Sequence, residues 1–295
     1  MKLLVVGRDG QVARALIRSG GDEVVAVGRP DLDLERPETF APALSAHAPD
    51  VVACVGAYTA VDRAETEPDR AARINGVGPG LMAQACAQRG IPIVHVSTDY
   101  VFDGAKRDPY TEDDPVAPQS VYGATKADGE LRVARANPQH AILRTAWVYD
   151  AEGKNFVRTM LRLAKSRARV GVVADQFGAP TFAPDIAEGL LQVARHLSEA
   201  PRPDRVGVFH MSAADFCSWA DFATAIFEGA AARGGPSAIV DRITTADYPT
   251  PAKRPANSRL SCEKIAAAHG VRLPSWRVGL AACLDDIAAA GWAVD

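Results

Sequence analysis

The 295-residue chain is predicted to adopt an α/β fold with a doubly wound parallel sheet, similar to a Rossmann fold. Over residues 1–145, short apolar runs alternate with helical patterns, which is typical of repeated strand–helix units. The runs are continuously apolar, as expected of strands that helices cover on both faces. A glycine-rich turn at residues 7–10 follows the first run, at the position where such sheets hold a dinucleotide.

The elements of this half follow from the same patterns. Five strands are predicted, at residues 2–6, 23–27, 50–55, 91–96 and 141–145. Helices are predicted from Val12 to the Gly20-Gly21 pair and at residues 37–47, 68–89 and 120–136. Glycines and a proline at residues 76–80 favour a break or kink in the third helix. The face of the fourth helix that we expect to be buried carries Ala124, Ala127, Leu131 and Ala134.

The pattern is less regular after residue 150. A strand at 170–174, helices at 185–197 and 216–231, a linker at 201–203 and an irregular loop at 247–257 are predicted there. We therefore expect a dinucleotide-binding domain at residues 1–150. A smaller substrate-binding lobe is expected at residues 151–295, interleaved with late elements of the sheet domain.

Composition and charge exclude several classes of protein. Hydrophobic residues make up 47% of the chain and charged residues 23%, which argues against intrinsic disorder. The 33 basic and 36 acidic residues give a net charge of −3, so nucleic acid is not expected as a partner. The N-terminal apolar run at residues 3–7 is far too short for a membrane span or a signal peptide. We therefore expect a cytoplasmic protein with no membrane partner.

Cysteine and histidine spacing favours neither a disulfide framework nor a metal site. The five cysteines lie far apart with no CxxC pair, and the six histidines form no HExxH motif. A reduced chain without a metal is the expectation.

The turn at residues 7–10 has the glycines that a pyrophosphate site needs. Gly7 allows a tight turn, and Gly10 allows the backbone to approach the anion closely. The following helix would offer free N–H groups and its positive dipole end. Ala13 stands at the third position of the motif, where a methyl group still permits close packing of helix and strand. The alternative is an ordinary glycine turn without a ligand.

The end of the second predicted strand favours NADPH over NADH. Sites selective for NAD place Asp or Glu there to bind the ribose 2′-hydroxyl, whereas this chain has Gly28-Arg29. Arg29 could pair with a 2′-phosphate through charge-assisted hydrogen bonds. The alternative is a solvated surface arginine. Asp31 or Asp33 nearby could instead contact ribose or adenine, so use of NADH stays open.

Three polar residues suggest acid–base chemistry at the same edge of the sheet. Tyr122 and Lys126 stand four residues apart at the start of a predicted helix, so they share one face. A cation beside the phenol is expected to lower its pKa from about 10. The pair could then protonate a carbonyl oxygen while hydride reaches its carbon, and Lys126 could also hold the nicotinamide ribose. Thr98, at the end of the fourth strand, could bind the substrate oxygen. By chance, many amphipathic helices carry the same Tyr–Lys spacing.

These residues lie within motifs that resemble a known family. The motifs include GRDGQVA (7–13), AYTAVDRAE (57–65), VSTDYVFDG (96–104), VYGATKADGE (121–130), LRTAWVY (143–149), DQFGAPT (175–181) and YPTPAKRPANSRL (248–260). They resemble the extended branch of the short-chain dehydrogenase/reductase superfamily, and within it the dTDP-4-dehydrorhamnose reductase family. The similarity runs along nearly the whole chain.

The resemblance implies a role for each matching residue. The residues implied at the cofactor are Gly10, Gln11 and Val12 at the pyrophosphate, Asp33 and Leu34 near the adenosine, and Ala57, Tyr58 and Thr59 after the third strand. The glycine turn and the strand end add Gly7 and Arg29 to this set. Thr98, Tyr122 and Lys126 would form the catalytic set, and Tyr122 and Lys126 would also contact the cofactor. Thr98, Asp99, Tyr122 and Trp147 would contact the sugar nucleotide.

The resemblance also implies the reaction. It is the NADPH-dependent reduction of the C4 ketone of dTDP-4-dehydro-6-deoxy-L-mannose (dTDP-4-dehydro-L-rhamnose) to dTDP-L-rhamnose, with Tyr122 as proton donor. The partner would be this dTDP-linked 4-keto-6-deoxy sugar, and a homodimer is left open. Some relatives dimerise through Mg²⁺ held partly by an acidic residue of the first helix. Because this chain has Ala15 in that region, we predict no metal.

Two other classes of function are compatible with the fold, another sugar-nucleotide enzyme and a non-enzymatic subunit. Related sugar-nucleotide dehydratases follow the threonine with Asp and Glu, whereas Thr98 is followed here by Asp99 and Tyr100. Related epimerases carry the acidic strand-end residue that this chain lacks. A regulatory subunit that binds NADP without turnover remains the non-enzymatic alternative, which the intact Thr98, Tyr122 and Lys126 set disfavours.

Overall fold

A six-stranded parallel sheet forms the centre of the computed structural model, which describes residues 1–199 and 202–294. The strands of the described residues are β1 (Leu3–Val6), β2 (Val24–Val27), β3 (Val51–Cys54), β4 (Ile93–Thr98), β5 (His140–Thr145), β6 (Val148–Tyr149), β7 (Arg169–Val173), β8 (Phe177–Gly178), β9 (Thr181–Phe182), β10 (Gly207–His210), β11 (Cys217–Ser218) and β12 (Ile239–Ile243). The central sheet has the order β10-β5-β4-β3-β1-β2. The chain therefore reverses its direction of travel across the sheet beside β1.

Helices cover the sheet and build the second lobe. The helices are α1 (Gln11–Gly20), α2 (Phe40–His47), α3 (Val61–Ala64), α4 (Pro68–Ala72), α5 (Gly78–Ala87), α6 (Val121–Ala136), α7 (Phe156–Ala164), α8 (Ala183–Ser198), α9 (Trp219–Ala231), α10 (Glu263–His269) and α11 (Trp276–Ala289). Short 3₁₀ turns lie at Gly21–Glu23, Pro37–Thr39, Asp99–Val101, Pro203–Arg205 and Thr245–Asp247. No described helix combines the length and apolar character that a bilayer crossing requires.

Two apolar layers lie on opposite faces of the sheet. On one face, residues of α1 and α8, such as Leu16 and Leu190, pack against the strands. On the other face, Phe40 of α2 and Met82 of α5 do the same. All four residues of β1 are buried, as expected of a strand covered on both sides. The predicted doubly wound parallel sheet is confirmed.

The second lobe has its own apolar core. Residues of α7, α9 and α11, including Leu161, Phe222 and Leu284, form this core. β7 pairs in parallel with β12 outside the central sheet. Two later elements belong with the first half of the chain instead. β10 is a strand of the central sheet and pairs with β5, and α8 packs on α1 against one face of that sheet. Of the linker predicted at 201–203, residue 201 lies outside the described residues, and Pro203 begins a 3₁₀ turn.

The predicted buried face of α6 is right for Ala127, which is buried, and for Ala134, which packs against the core, but it is wrong for the other two residues. Ala124 is exposed and 56% of Leu131 is accessible to solvent, whereas Lys126 and Glu130 are buried together with Val133. Apolar periodicity misleads here because the inward face is polar and its groups find partners within the fold. One example is the buried ion pair between Glu130 and Arg144 of β5.

The predicted break at residues 76–80 is a π turn, Arg73–Val77, that joins α4 to α5 without interrupting the helical path. Small residues allow this path to pass close to α6. A Cβ at Gly80 would lie 2.6 Å from the Cβ of Arg132, and the Cβ of an alanine at position 129 would lie 2.1 Å from the Asn75 carbonyl oxygen. The glycines therefore serve close packing of two helices rather than a kink.

Candidate active site

The turn after β1 needs glycine at its first position. Gly7 adopts φ +110°, a region that favours glycine, and its N–H donates to the Val27 carbonyl at 2.9 Å. A Cβ there would lie 3.3 Å from the backbone of Gly56. The turn is thus pressed against the loop that follows β3, at the point where the strand order reverses and ligands of such sheets bind.

The start of α1 is open towards this point. Gly10 is the N-cap residue of α1, and a Cβ built on it would meet no atom within 4 Å. The first turn of α1 carries no acidic residue, so its N–H groups and dipole are available to an anion. Ala13 is buried against the sheet. These features fit the pyrophosphate of a dinucleotide.

Gln11 and Val12 follow in the first turn of α1. The Gln11 amide accepts a hydrogen bond from Asn155 Nδ2 at 3.0 Å, and its Nε2 lies 3.5 Å from the Val148 carbonyl oxygen. Its side chain therefore connects the start of α1 to the second lobe. Val12 is half-buried and packs against the core of the sheet domain.

Two arginines flank the end of β2. Arg29 is exposed, and the Arg8 side chain lies over Gly28, where a Cβ would be 3.2 Å from the Cβ of Arg8. Sequence reasoning found Arg29 and missed Arg8. In the sequence, Arg8 is a basic residue inside the glycine turn. Its place at the end of β2 could be inferred only from the pairing of β1 with β2.

The segment at residues 33–35, after β2, lies near the loop that follows β3. The Asp33 carboxylate accepts the Glu35 N–H at 3.0 Å, so one of its oxygens is engaged within its own turn. Leu34 is buried, with its side chain 3.5 Å from where a Cβ of Gly56 would lie. Leu34 therefore forms part of the apolar wall beside the turns after β1 and β3.

A buried amide holds the loop after β3, which contains Ala57, Tyr58 and the exposed Thr59. Asn75, inside the π turn, accepts the Tyr58 N–H at 2.8 Å and donates to the Tyr58 carbonyl at 3.1 Å. Its Nδ2 also lies 3.2 Å from the Thr125 hydroxyl of α6. Sequence reasoning missed Asn75, because only the π turn points its side chain at this loop.

Thr98 and Asp99 lie at the carboxyl end of β4 and are both buried. The Thr98 hydroxyl donates to Asp99 Oδ1 at 3.0 Å. Burial raises the pKa of Asp99 to about 6, and the Ser258 and Thr98 hydroxyls act in the opposite direction. Ser258 arrives from the 248–260 segment of the second lobe. Since Ser258 lies close enough to Asp99 to affect its pKa, this segment reaches the carboxyl end of β4.

Tyr122 is held near Thr98 by the start of α6. Ser120 caps the helix by accepting the Gly123 N–H at 3.2 Å, and Glu65 accepts the Val121 N–H at 2.8 Å. A Cβ at Gly123 would lie 2.1 Å from the Tyr100 carbonyl oxygen, so the helix begins in close contact with the turn after β4. The rings of Tyr122 and Tyr100 meet edge to face at 5.6 Å.

The prediction that Lys126 lowers the pKa of Tyr122 is wrong. Burial raises this pKa to about 12, the nearby Thr98 hydroxyl acts in the opposite direction, and Asp99 raises it further. Tyr122 therefore keeps its proton at neutral pH, which is the form that a proton donor requires.

The Lys126 ammonium contacts β4 rather than the Tyr122 phenol. Its Nζ donates to the Val96 carbonyl at 2.7 Å and lies 3.3 Å from His95 Nε2. Only 2% of Lys126 is exposed. Burial lowers its pKa to about 8, while Cys54 and Glu130 act in the opposite direction.

Trp147 lies beyond the end of β5 and faces the second lobe. It adopts φ +47°, and its indole stacks on that of Trp219 with ring centroids 3.5 Å apart. A Cβ at Gly178 would lie 2.5 Å from the same indole. Trp147 is therefore clamped between Trp219 and Gly178, two residues that the sequence did not connect with it.

The chain matches the model of one protein family, the RmlD substrate binding domain, over residues 1–289. A dTDP-4-dehydrorhamnose reductase of Sinorhizobium fredii is 47% identical over 278 residues, which cover 94% of each chain. The chain belongs to the dTDP-4-dehydrorhamnose reductase family. The predicted resemblance is thereby confirmed.

Two solved structures of this family are similar to the fold described above. A dTDP-4-dehydrorhamnose reductase from Clostridium acetobutylicum gives a TM-score of 0.89 at 38% identity and covers 97% of this chain and 99% of its own. The same enzyme from Bacillus anthracis, crystallised in complex with NADP, gives 0.89 at 32% identity over 97% and 100% of the two chains. The NADP complex confirms the predicted cofactor at the level of the family, which is one of nucleotide-sugar reductases.

Proposed function

We propose that this chain reduces the C4 ketone of dTDP-4-dehydro-6-deoxy-L-mannose to the alcohol of dTDP-L-rhamnose, with NADPH as reductant and Tyr122 as proton donor. The observation that carries the proposal is the placement of Tyr122 next to Thr98, with the Lys126 ammonium held by the same strand as Thr98. This strand and the one before the glycine turn are parallel, so both lead to the carboxyl edge of the sheet. Relatives named for this reaction are similar along nearly the whole chain.

NADPH, when bound, supplies the hydride that reaches C4 of the sugar. The glycine turn and the start of α1 hold its pyrophosphate, and the loop at residues 57–59 flanks it. Lys126 donates a hydrogen bond to the nicotinamide ribose. When the substrate binds, the Thr98 hydroxyl turns its proton from Asp99 Oδ1 to the ketone oxygen and holds that oxygen. Tyr122 transfers its phenolic proton to the same oxygen as the C4–H bond forms. A proton from solvent then restores the phenol.

The sugar nucleotide binds between the two lobes. Asp99 accepts a hydrogen bond from a sugar hydroxyl, since its Oδ2 is buried without a protein partner among the described residues and a buried acceptor favours a donor. Trp147 provides a flat apolar surface whose orientation the Trp219 stack fixes.

Loss of NADPH absorbance on addition of the 4-keto sugar nucleotide tests this function. Turnover is expected with the dTDP-linked sugar, and turnover with the UDP- or GDP-linked sugar alone would reassign the substrate. Tight NADPH binding without consumption would instead favour a regulatory subunit.

Arg8 and Arg29 should decide the preference for NADPH. We expect the double variant Arg8→Ala/Arg29→Ala to bind NADPH about 10-fold more weakly, because both charge-assisted contacts to the 2′-phosphate are lost at a partly solvated site. NADH, which lacks that phosphate, should bind with unchanged affinity. Fluorescence titration of both dinucleotides measures this.

The matched control is Arg89→Ala, which removes an exposed arginine before β4, at the opposite edge of the sheet. An equal loss of NADH and NADPH affinity in the double variant would contradict the assignment.

A further inference from the structure

A histidine that the proposed mechanism does not use lies against Lys126. His95 of β4 is fully buried, and its Nε2 is 3.3 Å from Lys126 Nζ. A lysine that contacts the cofactor needs groups that hold its buried ammonium in one place.

The chemistry of the two groups fixes the direction of this hydrogen bond. An ammonium has three N–H donors and no acceptor, so His95 Nε2 must accept. The imidazole is then neutral and carries its proton on Nδ1. Burial holds the pKa of His95 well below its usual range, and the positive charge of Lys126 lowers this pKa further. The ring therefore stays an acceptor throughout the neutral pH range.

β4 provides both acceptors for the ammonium. One is the Val96 carbonyl, 2.7 Å away, and the other is the ring of His95, the residue before it. The same strand carries Thr98, two residues further on. The ammonium is thus fixed relative to the proposed oxygen-binding hydroxyl, with its third N–H left for a partner outside these contacts.

We propose that His95 is a positioning residue, whose neutral ring accepts a hydrogen bond from Lys126 and holds the ammonium where its remaining N–H reaches the cofactor ribose. The inference deepens the proposed function, because it rests on the role given there to Lys126. With His95 included, two groups of β4 hold the Lys126 ammonium in place and favour its charged form.

The groups around Lys126 explain why an acceptor matters. Cys54 faces it from β3, His95 from β4 and Glu130 from one turn further along α6. Burial alone would favour the uncharged amine. Since a hydrogen bond to the charged form stabilises that form, loss of the His95 acceptor should lower the Lys126 pKa further. Affinity for NADPH should then be lost at lower pH.

The test is the pH dependence of NADPH binding, followed by fluorescence from about pH 6 to about pH 10, a range that spans the lysine titration. For the unmodified chain, the affinity should fall as the pH rises through about 8. In His95→Leu this fall should move about one pH unit lower. In His95→Gln, whose amide oxygen can accept in place of Nε2, it should return to the original position.

His140→Gln is the matched control. His140 is a buried histidine at the start of β5, and its Nδ1 contacts the Asn137 carbonyl at 2.7 Å, away from Lys126. Its profile should equal that of the unmodified chain. An unshifted profile in His95→Leu, or equal shifts in His95→Leu and His95→Gln, would overturn the proposal, because only packing would then be involved.

Lys126→Met separates this proposal from the function on which it rests. Loss of the pH-dependent fall in Lys126→Met supports the contact between Lys126 and the cofactor, whatever His95 does. Persistence of the fall would overturn that contact, and with it the role of His95. If His95→Leu does not fold, ¹⁵N NMR of the unmodified chain still decides. The proposal requires the His95 proton on Nδ1, and a proton on Nε2 would overturn it.

Discussion

Replacing Tyr122 with phenylalanine should lower kcat by about 10²–10⁴-fold while leaving NADPH affinity unchanged. The substitution removes the proton that the ketone oxygen receives and keeps the ring that packs against Tyr100. Because burial raises the pKa of Tyr122 to about 12, no loss of the donor by ionisation is expected in the neutral range. Steady-state kinetics and NADPH titration measure the two quantities separately.

Tyr149→Phe is the control for loss of a buried phenol. The Tyr149 hydroxyl donates to the Trp276 carbonyl at 3.2 Å within the second lobe, so its removal should cost stability rather than turnover. A Tyr122→Phe variant that retains more than about a tenth of the original kcat would contradict the assignment of the proton donor, given the usual size of this effect.

Replacing Glu130 with alanine should lower the free energy of unfolding by about 3–5 kcal/mol. The Glu130 carboxylate accepts two hydrogen bonds from Arg144, at 2.9 and 2.7 Å, and one from the Ser97 hydroxyl at 2.5 Å. Glu130 and Arg144 are 5% and 3% exposed. Removal of the carboxylate would leave the guanidinium charged and buried without its partner. Denaturant unfolding measures the loss.

A second ion pair on the same helix provides the control. Arg132 and Asp128 lie 2.7 Å apart and are nearly half exposed, so Asp128→Ala should change stability by less than about 1 kcal/mol. Replacing both buried partners, in Glu130→Leu/Arg144→Met, should recover part of the lost stability. A loss below about 1 kcal/mol in Glu130→Ala would show that water or a rearranged side chain satisfies Arg144.

The sheet could be predicted from the sequence because its strands are continuously apolar and end at recognisable turns. β1 is the clearest case, since an unbroken buried run leads directly to Gly7. The inward face of α6 could not be predicted in this way. Lys126 and Glu130 are polar, and they are buried only because Val96, His95 and Arg144 meet them from strands distant in sequence.

The same distinction, between local patterns and contacts made on folding, applies to the residues of the candidate site. The proposed set could be nominated from the sequence alone, because Tyr122 and Lys126 share one local motif and Thr98 follows a recognisable strand. Arg8, Asn75, Trp219 and His95 lie beside residues that become their neighbours only on folding. The raised pKa of Tyr122 illustrates the difference, because helical spacing puts Lys126 on the same face of α6 but does not reveal that its ammonium turns towards β4.

The fate of a labelled hydride tests the central claim most directly. The protein would be given the dTDP-linked 4-keto sugar together with NADPH that carries deuterium at one of the two C4 positions of its dihydronicotinamide, each position in a separate reaction. One of the two reactions should place a single deuterium at C4 of the sugar for every NADP⁺ formed, as measured by NMR and mass spectrometry. A reduced sugar without deuterium at C4 in both reactions would contradict direct transfer at this site.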